Sequence, residues 1–69
     1  MKEFWKDYYA WLDRARIGEI FAARDRAYEH LRRIKDRDIK LELRRMVRLM
    51  DEELLTRSDL ARVLGQDAQ

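Results

Sequence analysis

The chain of 69 residues lacks cysteine and proline, and it contains one histidine and two glycines. Without cysteine it forms no disulfide, and one histidine cannot supply the nitrogen and sulfur ligands of a zinc site. We therefore expect no metal and no cofactor. A chain this short buries only about 60% of its unfolded surface. Small domains commonly add disulfides, a metal or oligomerisation, so the sequence predicts a homodimer.

Long apolar runs are also missing. A membrane span needs about 20 predominantly apolar residues, and no stretch approaches that length. The N-terminus lacks the apolar segment of a signal peptide. Absence of cysteine is typical of reducing compartments. We therefore expect a cytoplasmic protein that does not contact a membrane.

Charged residues make up 43% of the chain, with abundant Ala, Leu, Arg, Lys and Glu. This composition favours helices, and the scarcity of Val, Ile and Thr together with the lack of alternation argues against strands. The sequence predicts an all-α fold, a small bundle of three or four helices. Apolar spacing places them in one domain, 1–69, with helices at about 3–15, 19–34, 37–55 and 57–64.

The helix breaks are marked unequally. Gly18 can end the first helix as a left-handed C-cap, and a single helix carrying a tolerated glycine is the alternative. Asp36 or Asp38 can cap the third helix, although one helix from 19 to 55 is the alternative there. The apolar stripe of the second helix is predicted to contain Ile17, Ile20, Arg24, Ala27, Leu31 and Ile34. An arginine in such a stripe must pair with an acid on a neighbouring helix or subunit.

The last predicted break lies at Thr56, which can cap a short helix ended by Gly65. Residues 55–65 resemble the start of a Cro/repressor helix-turn-helix, in which a small residue and a glycine follow the capping Thr at the spacing of Ala61 and Gly65. In that family a recognition helix must follow to read bases, and only four residues follow here. We interpret the segment as a C-terminal packing helix.

Five of the seven aromatic residues lie within the first twelve positions. They are Phe4, Trp5, Tyr8, Tyr9 and Trp11. On a helix, these side chains with Leu12 and Ala15 cover an arc of roughly 160°, wider than the ~100° that a small core requires. The surplus predicts that some aromatics belong to the core and others contact a second copy or a target protein, since Trp and Tyr are enriched at binding hot spots.

Charge is distributed unevenly. Residues 32–48 carry a net charge of +5 and residues 49–69 a net charge of −3. On the third helix a basic ridge falls within about 80°; it consists of Arg37, Lys40, Arg44 and Arg48. Such a ridge favours an acidic partner or nucleic acid, or is a solvated face with pairs such as Asp36–Lys40 and Arg48–Glu52. It also permits antiparallel self-association between the basic middle and the acidic tail.

No constellation for catalysis is evident. His30 has no cysteine partner, and Thr56 and Ser58 lie in a capping pattern. We expect a non-enzymatic regulatory adaptor or inhibitor that binds another protein through the aromatic helix face and the basic ridge. By class analogy, such small proteins are often encoded by phages or mobile elements. The alternatives are a transcriptional regulator whose ridge binds nucleic-acid phosphates, and a structural subunit of a larger assembly.

Overall fold

A computed structural model describes the backbone of residues 2–67 and the side chains of residues 2–60. It contains three α-helices: α1 Lys2–Arg14, α2 Ile17–Arg33 and α3 Arg37–Asp67. No strand occurs in this part of the chain. The prediction of an all-α fold is confirmed, and the described segments form three helices.

The break between α1 and α2 lies at Ala15 and Arg16, before Gly18. The backbone N–H of Arg16 donates to Glu19 Oε1 at 3.0 Å, which satisfies one of the free donors at the start of α2. Gly18 is the second residue of α2, and it has no positive φ. The predicted C-cap at Gly18 is therefore wrong, because this break uses extended backbone at Arg16 rather than a left-handed residue.

Asp36, one of the two predicted caps, is the N-cap that precedes α3. Its Oδ1 accepts hydrogen bonds from the backbone N–H groups of Asp38 at 2.8 Å and Ile39 at 3.2 Å. A carboxylate here satisfies orphan donors and complements the positive end of the helix dipole. The three-residue connection turns the chain back on itself, so that α2 and α3 form an antiparallel hairpin.

Helix α3 continues through the predicted break at Thr56, so helices 37–55 and 57–64 are one element. The Thr56 hydroxyl donates to the carbonyl of Glu52 at 2.9 Å, one turn back in the same helix. A threonine can make this bond inside a helix as well as cap one, so its capping signal is ambiguous. The helix also continues through Gly65, which is therefore no C-cap. The side chains from residue 61 onward in the segment interpreted as a packing helix lie outside the described side chains.

The core lies where the three helices meet. Its buried side chains are Tyr8, Leu12, Ala15, Ile20, Ala27, Val47 and Met50. In the apolar stripe predicted for the second helix, Ile20 and Ala27 are buried, whereas Ile17 is 49% exposed. The molecule measures 50 × 25 × 15 Å.

Candidate protein-binding surfaces

The aromatic residues of α1 divide between the core and the surface. Tyr8 is buried, and its hydroxyl donates to the carbonyl of Met46 in α3 at 2.8 Å. Trp5 and Trp11 are partly buried against the core. Phe4 and Tyr9 remain 48% and 44% exposed. Tyr8 therefore fills the predicted core role, whereas contact of Phe4 and Tyr9 with a second copy or a target protein stays a prediction.

Tyr8 holds the aromatic cluster in place. Its ring lies edge-on to Trp5 at a centroid distance of 5.7 Å and stacks with Trp11 at 5.9 Å. Burial, with a smaller contribution from Tyr9, raises the pKa of Tyr8 to about 12. The phenol therefore stays protonated and keeps donating to α3 at any ordinary pH, which fixes α1 against α3.

An apolar groove opens between the N-terminal halves of α1 and α3. We call it the aromatic groove; it has a volume of about 380 Å³ and is lined by Phe4, Trp5, Ile39, Leu43 and Met46. Asp38 and Glu42 line its edge, and among the described residues neither carboxylate takes part in an ion pair. The guanidinium of Arg45 lies 4.5 Å from the centre of the Trp5 ring, which orients that ring beside the groove.

The basic ridge lies on a different side of α3. Arg37, Arg44 and Arg48 are exposed and Lys40 is partly buried. At 100° per residue, the ridge is centred roughly 140° around the helix from the groove residues. The structure therefore does not join the aromatic groove and the basic ridge into one contact surface. Within the described chain, the predicted pairs Asp36–Lys40 and Arg48–Glu52 are not formed.

A second apolar surface, which the sequence interpretation missed, covers the outer side of the α2/α3 hairpin. We call it the hairpin face: Phe21 and Leu55 line one depression there, Ile17 and Tyr28 share the side of α2 that carries Phe21, and Leu41 lies within about 40° of Leu55 around α3 at 100° per residue. A depression of about 390 Å³ lies within it, lined in part by Phe21, Leu54 and Leu55. The spacing of residues 17, 21 and 28 was a usable signal, since four and seven residues return to one helix side.

Arg24 crosses the centre of the hairpin face. Its Nε donates to Asp51 Oδ1 of α3 at 2.6 Å, and its guanidinium lies 5.0 Å from the centre of the Tyr28 ring. The predicted pairing of Arg24 with an acid on a neighbouring helix is confirmed. Both side chains of the pair are nevertheless partly exposed, so it is a surface ion pair rather than a buried one.

The described residues contain no group of three or more side chains suited to hold a metal ion. Among them, no helix has the length and apolar character required to cross a bilayer. Comparison with family models, curated proteins and solved structures gives no match for this chain. The two apolar surfaces and the charges beside them are the features of this chain that bear on function.

Proposed function

We propose that this protein is a non-enzymatic adaptor or inhibitor that binds a segment of another protein in the aromatic groove. The observation that carries the proposal is the groove itself, a concave apolar surface in which half-exposed Phe4 and Ile39 flank the partly buried Trp5. Concave apolar surfaces with aromatic walls and a few polar groups are typical of binding sites. By binding a partner's apolar segment, the groove would block that segment or tether the partner.

The charges at the groove specify the partner's chemistry. Asp38 and Glu42 lie at the edge without a cation from the described part of the chain. An apolar segment that carries lysine or arginine beside its apolar residues would complement them, and such complementarity sets specificity and association rate. The acidic partner expected from the basic ridge would have to contact a different face of α3.

A pair of model peptides tests this proposal. One is an amphipathic helical peptide of leucine and lysine, and the other replaces each lysine with glutamate. We expect the lysine peptide to bind and the glutamate peptide to bind at least tenfold more weakly. Trp5 lines the groove, so binding should change tryptophan fluorescence. In NMR spectra, the backbone amide chemical shifts of Leu43 and Met46 should change as the peptide binds.

Two exposed residues of α3 provide a matched pair for the same titration. Ile39 lines the groove, whereas Leu41 lies outside it on the hairpin face, and both are about half exposed. Ile39→Ser should weaken binding of the lysine peptide, and Leu41→Ser should not. Equal losses in both variants, or shifts that avoid the groove, would contradict the proposal.

A second candidate function is phosphate binding to nucleic acid by the basic ridge. The observation that favours it is that Arg44 and Arg48 are exposed and form no ion pair with other described residues. Binding to phosphates falls steeply between about 50 and 200 mM salt. A fluorescence titration with random duplex DNA at both concentrations, repeated with Arg44→Glu and Arg48→Glu, tests it. No binding at the lower concentration would exclude it.

A further inference from the structure

The monomer exposes more surface than a compact protein of its mass. The accessible area is 5930 Å², whereas the size scaling of folded monomers gives about 4,700 Å² for 8.5 kDa. The Cα radius of gyration is 14.4 Å, and a compact domain of this length has about 11 Å. The difference in area, about 1,200 Å², exceeds the ~800 Å² that each partner buries in a standard interface.

The exposed side of α3 on the hairpin face has a sequence that complements itself when reversed. Leu41 and Leu55 lie seven residues to either side of Arg48, and Arg44 and Glu52 lie four residues to either side of it. All five are exposed. If two copies of α3 pack antiparallel with Arg48 at the two-fold axis, each Leu41 lies opposite Leu55 of the second copy. Each Arg44 then lies opposite Glu52 of the second copy.

The depression on the hairpin face has a place in this arrangement. It is lined by Phe21 and Arg24 of α2 and by Asp51, Leu54 and Leu55 of α3, so that apolar side chains stand beside the Arg24–Asp51 ion pair. In the antiparallel register, Leu41 of the second copy comes opposite Leu55, at the edge of this depression. A leucine entering a hole between two facing helices is the contact that stabilises helical bundles.

We propose that two copies of this chain form a two-fold dimer through the hairpin face, with Leu41 of each copy seated in the Phe21/Leu54/Leu55 depression of the other. Arg44 and Glu52 pair across the interface and set the antiparallel register. The two Arg48 side chains meet near the axis, one helical turn from the Arg44–Glu52 pairs. The aromatic groove lies on the other side of α3 and stays open, so the dimer presents two grooves.

Sedimentation velocity of the full chain across micromolar concentrations tests the dimer. We expect a concentration-dependent dimer that Leu41→Ser weakens by about 100-fold, since two leucines are lost from each interface. Ile39→Ser is the matched control: it removes a similarly exposed apolar residue from the opposite side of α3 and should leave the dimer intact. A monomer throughout the range, or dissociation by Ile39→Ser instead of Leu41→Ser, would overturn the proposal.

A charge exchange tests the register independently of apolar area. Arg44→Glu and Glu52→Arg should each weaken the dimer, because each places like charges opposite one another at two positions. The double variant should restore most of the lost affinity. Circular dichroism shows whether each variant keeps its helices, and a double variant no tighter than the single ones would reject this register.

Discussion

Arg57 of α3 donates from Nη2 to the backbone carbonyl of Leu12 at 2.9 Å, across the end of α1. The same guanidinium contacts the carbonyl of Ala15, and Glu53 Oε2 holds its Nε at 2.9 Å. The last carbonyls of a helix have no partner within the helix, and a cation is favourable at that negative end. The C-terminal half of α3 is thus tied to the end of α1 by one side chain.

Replacing Arg57 with alanine should lower the free energy of unfolding by about 2 kcal/mol, because hydrogen bonds to a charged group contribute roughly 1.5–3 kcal/mol. Chemical denaturation followed by circular dichroism measures this change. Arg26→Ala is the control, since Arg26 is exposed on α2 and forms no bond with another described residue. Equal effects of the two substitutions would show that Arg57 does not cap α1.

The capping pattern at Thr56 explains why α3 was predicted as two helices. The all-α class, the start of α3 at Asp36 and the centres of the apolar stripes follow from local periodicity and capping, which the sequence displays directly. Where α3 continues beyond residue 55, Arg57 contacts the end of α1, more than 40 positions earlier. Nothing in the segment Thr56-Arg57-Ser58-Asp59 encodes that distant partner, so the local capping pattern was misleading.

The burial of the Tyr8 phenol predicts a change in stability at alkaline pH. The pKa of Tyr8 is about 12 in the folded chain and 10.0 as its ordinary value. Between these values the unfolded chain releases the proton and the folded chain keeps it, so stability falls as pH rises. The stabilisation is complete below pH 10, is lost as pH rises to about 12 and does not fall further above it. Denaturation at a series of pH values from 8 to 12 measures it.

Tyr8→Phe removes both the hydrogen bond and the titrating group. At neutral pH we expect the free energy of unfolding to fall by about 1 kcal/mol, the usual net contribution of one such bond. Above pH 10 the difference between the variant and the parent chain should shrink. Tyr9→Phe is the control for the hydrogen bond at neutral pH, because Tyr9 is 44% exposed and forms no hydrogen bond in the described part of the chain. A difference in unfolding free energy between the two chains that stays constant from pH 8 to 12 would contradict the prediction.

Gly18 gives a prediction of opposite sign. A Cβ added there would meet nothing within 4 Å, and the residue is helical with no positive φ. Gly18→Ala should therefore stabilise the protein by about 0.5 kcal/mol, since alanine loses less backbone entropy in a helix. Thermal unfolding measures the change. A C-cap glycine in a left-handed conformation would give the reverse, so a lower melting temperature would restore the cap assigned from sequence.

The candidate sites were predictable in part, for a related reason. The aromatic cluster signalled a binding surface, and Phe4 and Trp5 do line a groove. The second wall of the groove comes from α3. The separation of the groove from the basic ridge depends on which side of α3 faces α1. Periodicity gives each helix an apolar side but does not say which neighbour covers it. The hairpin face was missed because Ile17 was assigned to the core and Phe21 and Tyr28 were not linked to it.

Ile17 and Ile20 test that correction, since both belong to the apolar stripe predicted for α2. Ile20 is fully buried, whereas Ile17 is 49% exposed on the hairpin face. Ile20→Ala should lower the free energy of unfolding by about 3 kcal/mol, because it removes buried methyl groups and leaves a cavity. Ile17→Ala should lower it by less than about 1 kcal/mol, because little apolar area is returned to water. Chemical denaturation at a low protein concentration, at which the proposed dimer would be dissociated, compares them. Similar losses would mean that Ile17 also lies in the core and that the hairpin face is smaller than described.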